Sequence, residues 1–84
     1  MRARVLYFGP CRQHAGCDEE TVDIPGGGAT VGALLNRCCA LHPGLASARS
    51  SLLVSVNLEF AKAETPLAGG EEIAVMPPLS GGLA

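Results

Sequence analysis

The sequence predicts an α+β domain of two layers, a mixed sheet covered by one main helix. Three observations predict it. Val31, Leu34, Leu35, Cys38 and Leu41 fall at i, i+3, i+4, i+7 and i+10, a helical stripe. Short apolar runs rich in strand formers lie on both sides of that stripe in the chain. Glycines and prolines punctuate the boundaries between them.

The first strand is expected from Ala3 to Phe8. Val5, Tyr7 and Phe8 favour strands, and Leu6 makes the run apolar on both faces. Gly9-Pro10 ends it, and Cys11 to Gly16 is long enough for one helical turn. Thr21-Val22-Asp23-Ile24 alternates, placing Val22 and Ile24 on one face, and Pro25 closes it. The two strands would form a hairpin-like pair. Gly26-Gly27-Gly28 then reads as a loop before the helix. A phosphate-binding loop needs Lys-Ser/Thr after its last glycine, and Ala29-Thr30-Val31 follows here. The glycine spacing also fails the dinucleotide fingerprint.

Thr30 is the expected N-cap of the main helix, because its hydroxyl can accept from an otherwise unpaired N–H. Gly32 weakens the helix by roughly 1 kcal/mol relative to alanine. Asn36, Arg37 and Ala40 lie off the stripe, with Cys39 at its edge. His42-Pro43-Gly44 stops the helix, since a residue before proline avoids the α region. His42 is therefore expected as a helix-end residue with no evident partner for a catalytic role. Leu45 to Ser51 suggests a second, shorter helical turn. Leu52 to Asn57 is the strongest strand of the middle, and Leu58 to Ala61 continues after a tight turn. Pro66-Leu67 and Gly69-Gly70 lead to a last strand from Ile73 to Met76. One long helix crossing a mixed sheet of this order points to the β-grasp, the ubiquitin-like topology.

Composition narrows the function. A chain of 84 residues is one domain with one modest core and no room for a deep catalytic cleft. With 48% apolar residues it is expected to fold. It has no apolar run long enough for a transmembrane helix and no secretory leader pattern, so a cytoplasmic location is expected. A net charge of −2, scattered basic residues and only Tyr7, Phe8 and Phe60 as aromatics argue against nucleic acid. The four cysteines, Cys11, Cys17, Cys38 and Cys39, form no paired C-x-x-C, and His14 and His42 complete no zinc spacing. No metal is expected, and the thiols are expected free and partly filling the core.

The last dozen residues organise the chain. Pro77-Pro78 cannot continue the Ile73–Met76 strand as a central strand, because proline lacks an N–H and fixes φ. Leu79, Ser80, Gly81 and Gly82 offer little to pack. The expected division is a domain over residues 1–76 and an extended arm over 77–84. The stretch from Pro77 to Gly82 would span up to roughly 20 Å if extended. Within the last strand Ile73 and Val75 are assigned to the core with Leu34, Leu35 and Cys38. Ala74 and Met76 take the other face, leaving Met76 as an exposed apolar residue beside the arm.

The ending Glu71-Glu72-Ile73-Ala74-Val75-Met76-Pro77-Pro78-Leu79-Ser80-Gly81-Gly82 resembles the small subunits of molybdopterin synthase, a branch of the ubiquitin-like sulfur carriers. Val5-Leu6-Tyr7-Phe8, Thr30-Val31 with Leu34-Leu35, His42-Pro43-Gly44-Leu45, and Pro66-Leu67 through Glu71 extend the likeness over essentially the whole chain. A lone Gly-Gly would mean little, but Pro-Pro-x-Ser-Gly-Gly after such a strand is specific. The resemblance implies a carrier whose Gly82 holds sulfur as a C-terminal thiocarboxylate and which is not catalytic alone. It implies an adenylating partner of the ubiquitin-activating type that consumes ATP, a sulfur donor, and a large synthase subunit that receives the arm. There cyclic pyranopterin monophosphate would be sulfurated to molybdopterin, in a heterotetramer with two large subunits. Met76, Pro77, Pro78, Leu79, Ser80 and Gly81 would then meet partners, and no cofactor would stay bound. The same tail chemistry also suits a carrier for thiazole or cysteine synthesis, or a ubiquitin-like protein modifier.

One departure from the family pattern matters. Leu83-Ala84 follow Gly82, so the Gly82 carbonyl is an amide in this sequence. A peptidase that trims the tail, a cloning remnant or fusion start, and loss of carrier activity each account for it.

Overall fold

The computed structural model describes residues 2–24 and 29–77. Strand β1 (Arg2–Tyr7) is followed by helix α1 (Pro10–Ala15) and strand β2 (Glu19–Asp23). Helix α2 (Val31–Leu41) and the short α3 (Pro43–Ala46) lead through a single 3₁₀ turn (Arg49–Ser51) to β3 (Leu53–Val56), β4 (Glu59–Ala61) and β5 (Glu72–Met76). The strands form one sheet in the order β2-β1-β5-β3-β4. Only the β1–β5 pair is parallel; the others are antiparallel. This is the expected mixed sheet with one main helix. The second strand starts two residues earlier than its alternation suggests, because Glu19 and Glu20 pair with Leu6 and Val5.

Side-chain parity divides the sheet into a dry face and an open face. Ala3, Val5 and Tyr7 of β1, Val22 of β2, Val54 of β3, and Ile73 and Val75 of β5 are buried. They meet Val31, Leu34, Leu35 and Cys38 of α2, as the stripe predicts. The stripe fails at Leu41, which is 45% exposed. The backbone turns at His42–Pro43 into α3, and the fully buried Leu45 fills the core at that end instead. Thr30 caps α2 as expected, accepting from the Ala33 N–H at 3.2 Å. The next two N–H groups, of Val31 and Gly32, donate to the carbonyls of Thr65 and Ala63. The 62–67 loop thus satisfies the helix start that would otherwise need water. A Cβ on Gly32 would stand 3.2 Å from the Ala63 carbonyl oxygen, so the glycine permits this close approach at some cost in helix propensity.

Two details fix the loops. Asn57 and Leu58 form the β3–β4 turn with φ of 50° and 72°. Positive φ at both central positions matches the twist of a two-residue hairpin, and asparagine tolerates it while leucine does not favour it. Asn57 also ties the turn to β5: its side-chain oxygen accepts from the Glu72 N–H, and its own N–H donates to the Glu72 carbonyl. Ahead of β5, the Glu71 carboxylate accepts from the N–H groups of Ala68 and Gly69, both at 2.7 Å.

Those two donors hold the Glu71 carboxyl below its ordinary value of 4.5. A depressed folded-state value stabilises the turn above the unfolded value. That contribution is lost as pH falls through the lower, folded value. The expected result is an NMR titration midpoint for Glu71 below 4.5, the ordinary value. Its replacement by glutamine should flatten the acid limb of the stability curve. A midpoint at or above the ordinary value would show that the carboxylate is not held this way in solution.

Candidate functional site

The last described strand, β5, sits at the centre of the sheet, and the chain leaves the sheet from there. β5 lies between β1 and β3, and its last residue, Met76, pairs with Leu53. The Phe8 N–H donates to the Val75 carbonyl at 3.0 Å, which closes the β1–β5 pairing at the point of exit. Pro77 follows outside the strand, as a residue without an N–H must when the ladder stops. Its ring seats over Gly9, where a Cβ would stand 3.5 Å from Pro77 Cγ. Gly9 has φ of 57°, a left-handed conformation that suits glycine and aims the chain into α1. The end of β5 and Pro77 are therefore held from two sides. Pro78, Leu79, Ser80, Gly81 and Gly82 lie outside the described residues, as do Leu83, Ala84 and the Gly26-Gly27-Gly28 loop.

Beside this point of exit, the open face of the sheet is apolar. Phe8, Leu58, Phe60, Ala74 and Met76 line a shallow groove of about 250 Å³. Register explains the grouping: Ala74 is paired with Ser55, and Ser55 with Phe60, so one row crosses three strands with one parity. Phe60 is 67% and Leu58 86% exposed. Met76 is half-buried rather than exposed, since Leu53 and the groove walls shield part of it. Ala74 and Met76 do share the face opposite Ile73 and Val75, as alternation predicts. Phe8, Leu58 and Phe60 are the residues that sequence reading missed. The sequence alone carried no signal for this, since alternation in Glu59-Phe60-Ala61 would turn the phenylalanine inward; the pairing of Ser55 with Phe60 puts it on the open face.

The thiols offer no activated nucleophile. All four cysteines are free. Burial is the first cause that pushes each of them above its ordinary value, with Cys38 raised to about 11. Cys11 and Cys38 fill the core, and Cys17 and Cys39 pack at its edge, as expected.

His42 caps the end of α2, but it is not without a partner. Its Nε2 lies 2.6 Å from Glu20 Oε2. The Tyr7 hydroxyl donates to the same oxygen at 2.6 Å, and the Tyr7 and His42 rings meet edge to face with centroids 5.9 Å apart. Burial first, and then hydrogen bonding with Cys38 and Glu20, pushes the Tyr7 phenol far above its ordinary range. The pairing escaped sequence reading because β2 and the end of α2 are 22 residues apart in the chain.

Among the described residues, three of the arginines are paired with carboxylates. Arg2 pairs with Asp23, Arg4 with Glu19 and Arg12 with Asp18. These exposed pairs contribute little to stability. Among the described residues no helix is long and apolar enough to cross a membrane.

Comparison with known proteins decides the family. Residues 5–82 match the ThiS family, a span that includes the arm through Gly82. The chain belongs to the ThiS family. Within that relationship, it is 38% identical over 84 residues to a molybdopterin synthase sulfur carrier subunit from Chlamydomonas reinhardtii, covering 98% of this chain and 100% of the relative. It is 33% identical to the Homo sapiens protein of the same description, over 96% of this chain and 94% of the relative. Among solved structures, small archaeal modifier protein 1 from Haloferax volcanii superposes with a TM-score of 0.82 at 30% identity, covering 93% of this chain and 98% of the other. The ThiS-family fold of this chain is thus the β-grasp expected from its sequence.

Proposed function

We propose that this ThiS-family chain is the sulfur carrier of molybdopterin synthesis, with Gly82 as the residue that bears sulfur. The observation that carries the reading is end-to-end similarity to carrier subunits, together with a Pro-Pro-Leu-Ser-Gly-Gly sequence that follows the central strand β5. The chemistry follows from the tail. A carboxylate is a poor acyl donor because its charge repels nucleophiles and oxide leaves badly. An adenylating partner joins a terminal Gly82 carboxylate to AMP and releases pyrophosphate. Sulfide sulfur from a donor attacks the carbonyl, and AMP leaves with the electron pair. The thiocarboxylate then carries a nucleophilic sulfur on a tether, and the large subunit positions it against cyclic pyranopterin monophosphate. Glycines at 81 and 82 leave the backbone open to close approach by two different partner enzymes. The raised thiol pKa values agree with a mechanism that uses no cysteine of this chain. The proposed working assembly is a heterotetramer with two large subunits.

The similarity to an archaeal modifier supports a second reading, in which the tail is conjugated to lysine. Intact-mass measurement of the protein from its own cells separates the two. A chain ending at Gly82 and heavier by about 16 Da, sulfur for oxygen, supports the carrier. An isopeptide adduct on a second protein supports the modifier and counts against the carrier.

The groove beside the arm is the proposed seat of the large subunit. An exposed apolar patch beside a reactive tail suits a surface that a partner covers. Leu58 adds to this: a fully presented leucine in a left-handed turn is retained at a cost to the free domain. Met76→Asp is expected to weaken complex formation at least about tenfold, as loss of a buried apolar contact does. The fold should survive, because the site faces away from the core. Unchanged affinity by calorimetry would remove Met76, and the groove with it, from the interface.

A further inference from the structure

Near the end of α2, three side chains of different chemistry converge outside the arm and its groove. Cys17 Sγ, one Glu20 carboxylate oxygen and one His42 ring nitrogen all lie within 4.8 Å of one another. Each residue is half-buried. Two of them, Cys17 and Glu20, come from one four-residue segment, and His42 arrives from the helix end.

We propose that Cys17, Glu20 and His42 form a zinc-binding site, with water completing a tetrahedron around the ion. The donor set fits the metal: zinc takes thiolate, imidazole and carboxylate at about 2.0–2.3 Å. A tetrahedron with such bonds has edges of about 3.3–3.8 Å, inside the range that these three atoms already span. Placing the ion requires the His42–Glu20 hydrogen bond, now 2.6 Å, to open by less than a bond length. Charge also balances. A thiolate, a carboxylate and a neutral imidazole together cancel a divalent cation, so the half-buried site is neutral once the ion is bound. The outer partner is in place as well. Tyr7 donates its hydroxyl proton to Glu20 and would orient that ligand once the ion is bound. The thiol gives its proton to solvent as the Cys17–zinc bond forms, so occupancy rises with pH.

The set did not appear in the cysteine and histidine spacing because its third member is a glutamate. With zinc bound, the segment before β2 would be pinned to the end of α2. This stabilises the folded chain by mass action and is independent of the carrier chemistry.

The test uses the full reduced chain with cobalt chloride as a spectroscopic probe and zinc chloride as competitor. The expected result is a near-ultraviolet thiolate-to-cobalt band that saturates at one metal per chain and is displaced by zinc. Cys17→Ser should abolish the band, and Cys39→Ser should leave it. Tyr7→Phe should weaken zinc binding about 10–100-fold without removing the band. Because a variant can lose its fold, the unaltered chain is also alkylated with iodoacetamide and mapped by mass spectrometry. Saturating zinc should slow modification of Cys17 at least tenfold and leave Cys39 unchanged. No cobalt band, a band equally strong in a folded Cys17→Ser chain, or Cys17 alkylation indifferent to zinc would each overturn the site.

Discussion

A chain ending at Gly82 is expected to gain sulfur when incubated with its adenylating partner, ATP and a sulfide source. The same chain carrying Leu83-Ala84 is expected to gain none. The difference is one of kind, because adenylation needs a free carboxylate on the residue that later bears sulfur. In the longer chain the Gly82 carbonyl is an amide and has no carboxylate oxygen to attack ATP. The available carboxylate belongs to Ala84, two residues further along, and a leucine side chain stands between. A partner channel shaped around glycines rejects such bulk by overpacking, at a cost of about 1–3 kcal/mol. The steric cost alone would slow the reaction, whereas the chemical block stops it at Gly82. Intact-mass analysis of both products checks this. Thiocarboxylate on the 84-residue protein with Leu83-Ala84 still attached would sink the assignment of Gly82. A Gly82-ending chain that stays unmodified beside a demonstrably active partner would count against carrier function itself.

What could be read from the sequence was what short-range periodicity encodes. Val31, Leu34, Leu35 and Cys38 face the core because a 3.6-residue repeat places them there whatever the tertiary context. Ile73 and Val75 follow from the two-residue repeat of a strand in the same way. Leu41 broke the pattern because the helix outlasts the core it covers, and core extent is a tertiary property. Its place is taken by Leu45, four residues on and in a different element. Phe60 and Leu58 read as ordinary apolar strand residues until the register of β3 with β4 shows which way they point. The Cys17–Glu20–His42 cluster was less legible still. Only the stacking of β2 beside the end of α2 brings its members together, and a single sequence carries no trace of that proximity. The end of β5 at Met76, by contrast, was legible, since Pro77 must stop the ladder wherever the strand lies.

The second large effect is expected in the core beneath the arm. Ile73→Ala should destabilise the domain by about 2–5 kcal/mol. Ile73 is fully buried and sits in β5, where it pairs with Val5 of β1 and Val56 of β3. Its side chain therefore lies at the middle of the sheet, with strands on both sides and α2 above. Removing it leaves a cavity that the strands cannot close, because each neighbour is held by ladder hydrogen bonds. For a domain of this size total stability is on the order of 5–15 kcal/mol, so the loss is a large share of the whole. The melting temperature should fall by at least about 8 °C. Met76→Asp makes the informative contrast, because Met76 is in the same strand three residues along and on the opposite face. It should lose partner affinity and keep its fold, while Ile73→Ala should lose stability first. Thermal unfolding of the two variants side by side distinguishes the faces. If Ile73→Ala melts within about 2 °C of the unaltered chain, roughly half a kcal/mol or less, β5 does not anchor the core as described. The arm would then be rooted on a weaker support than the sheet centre.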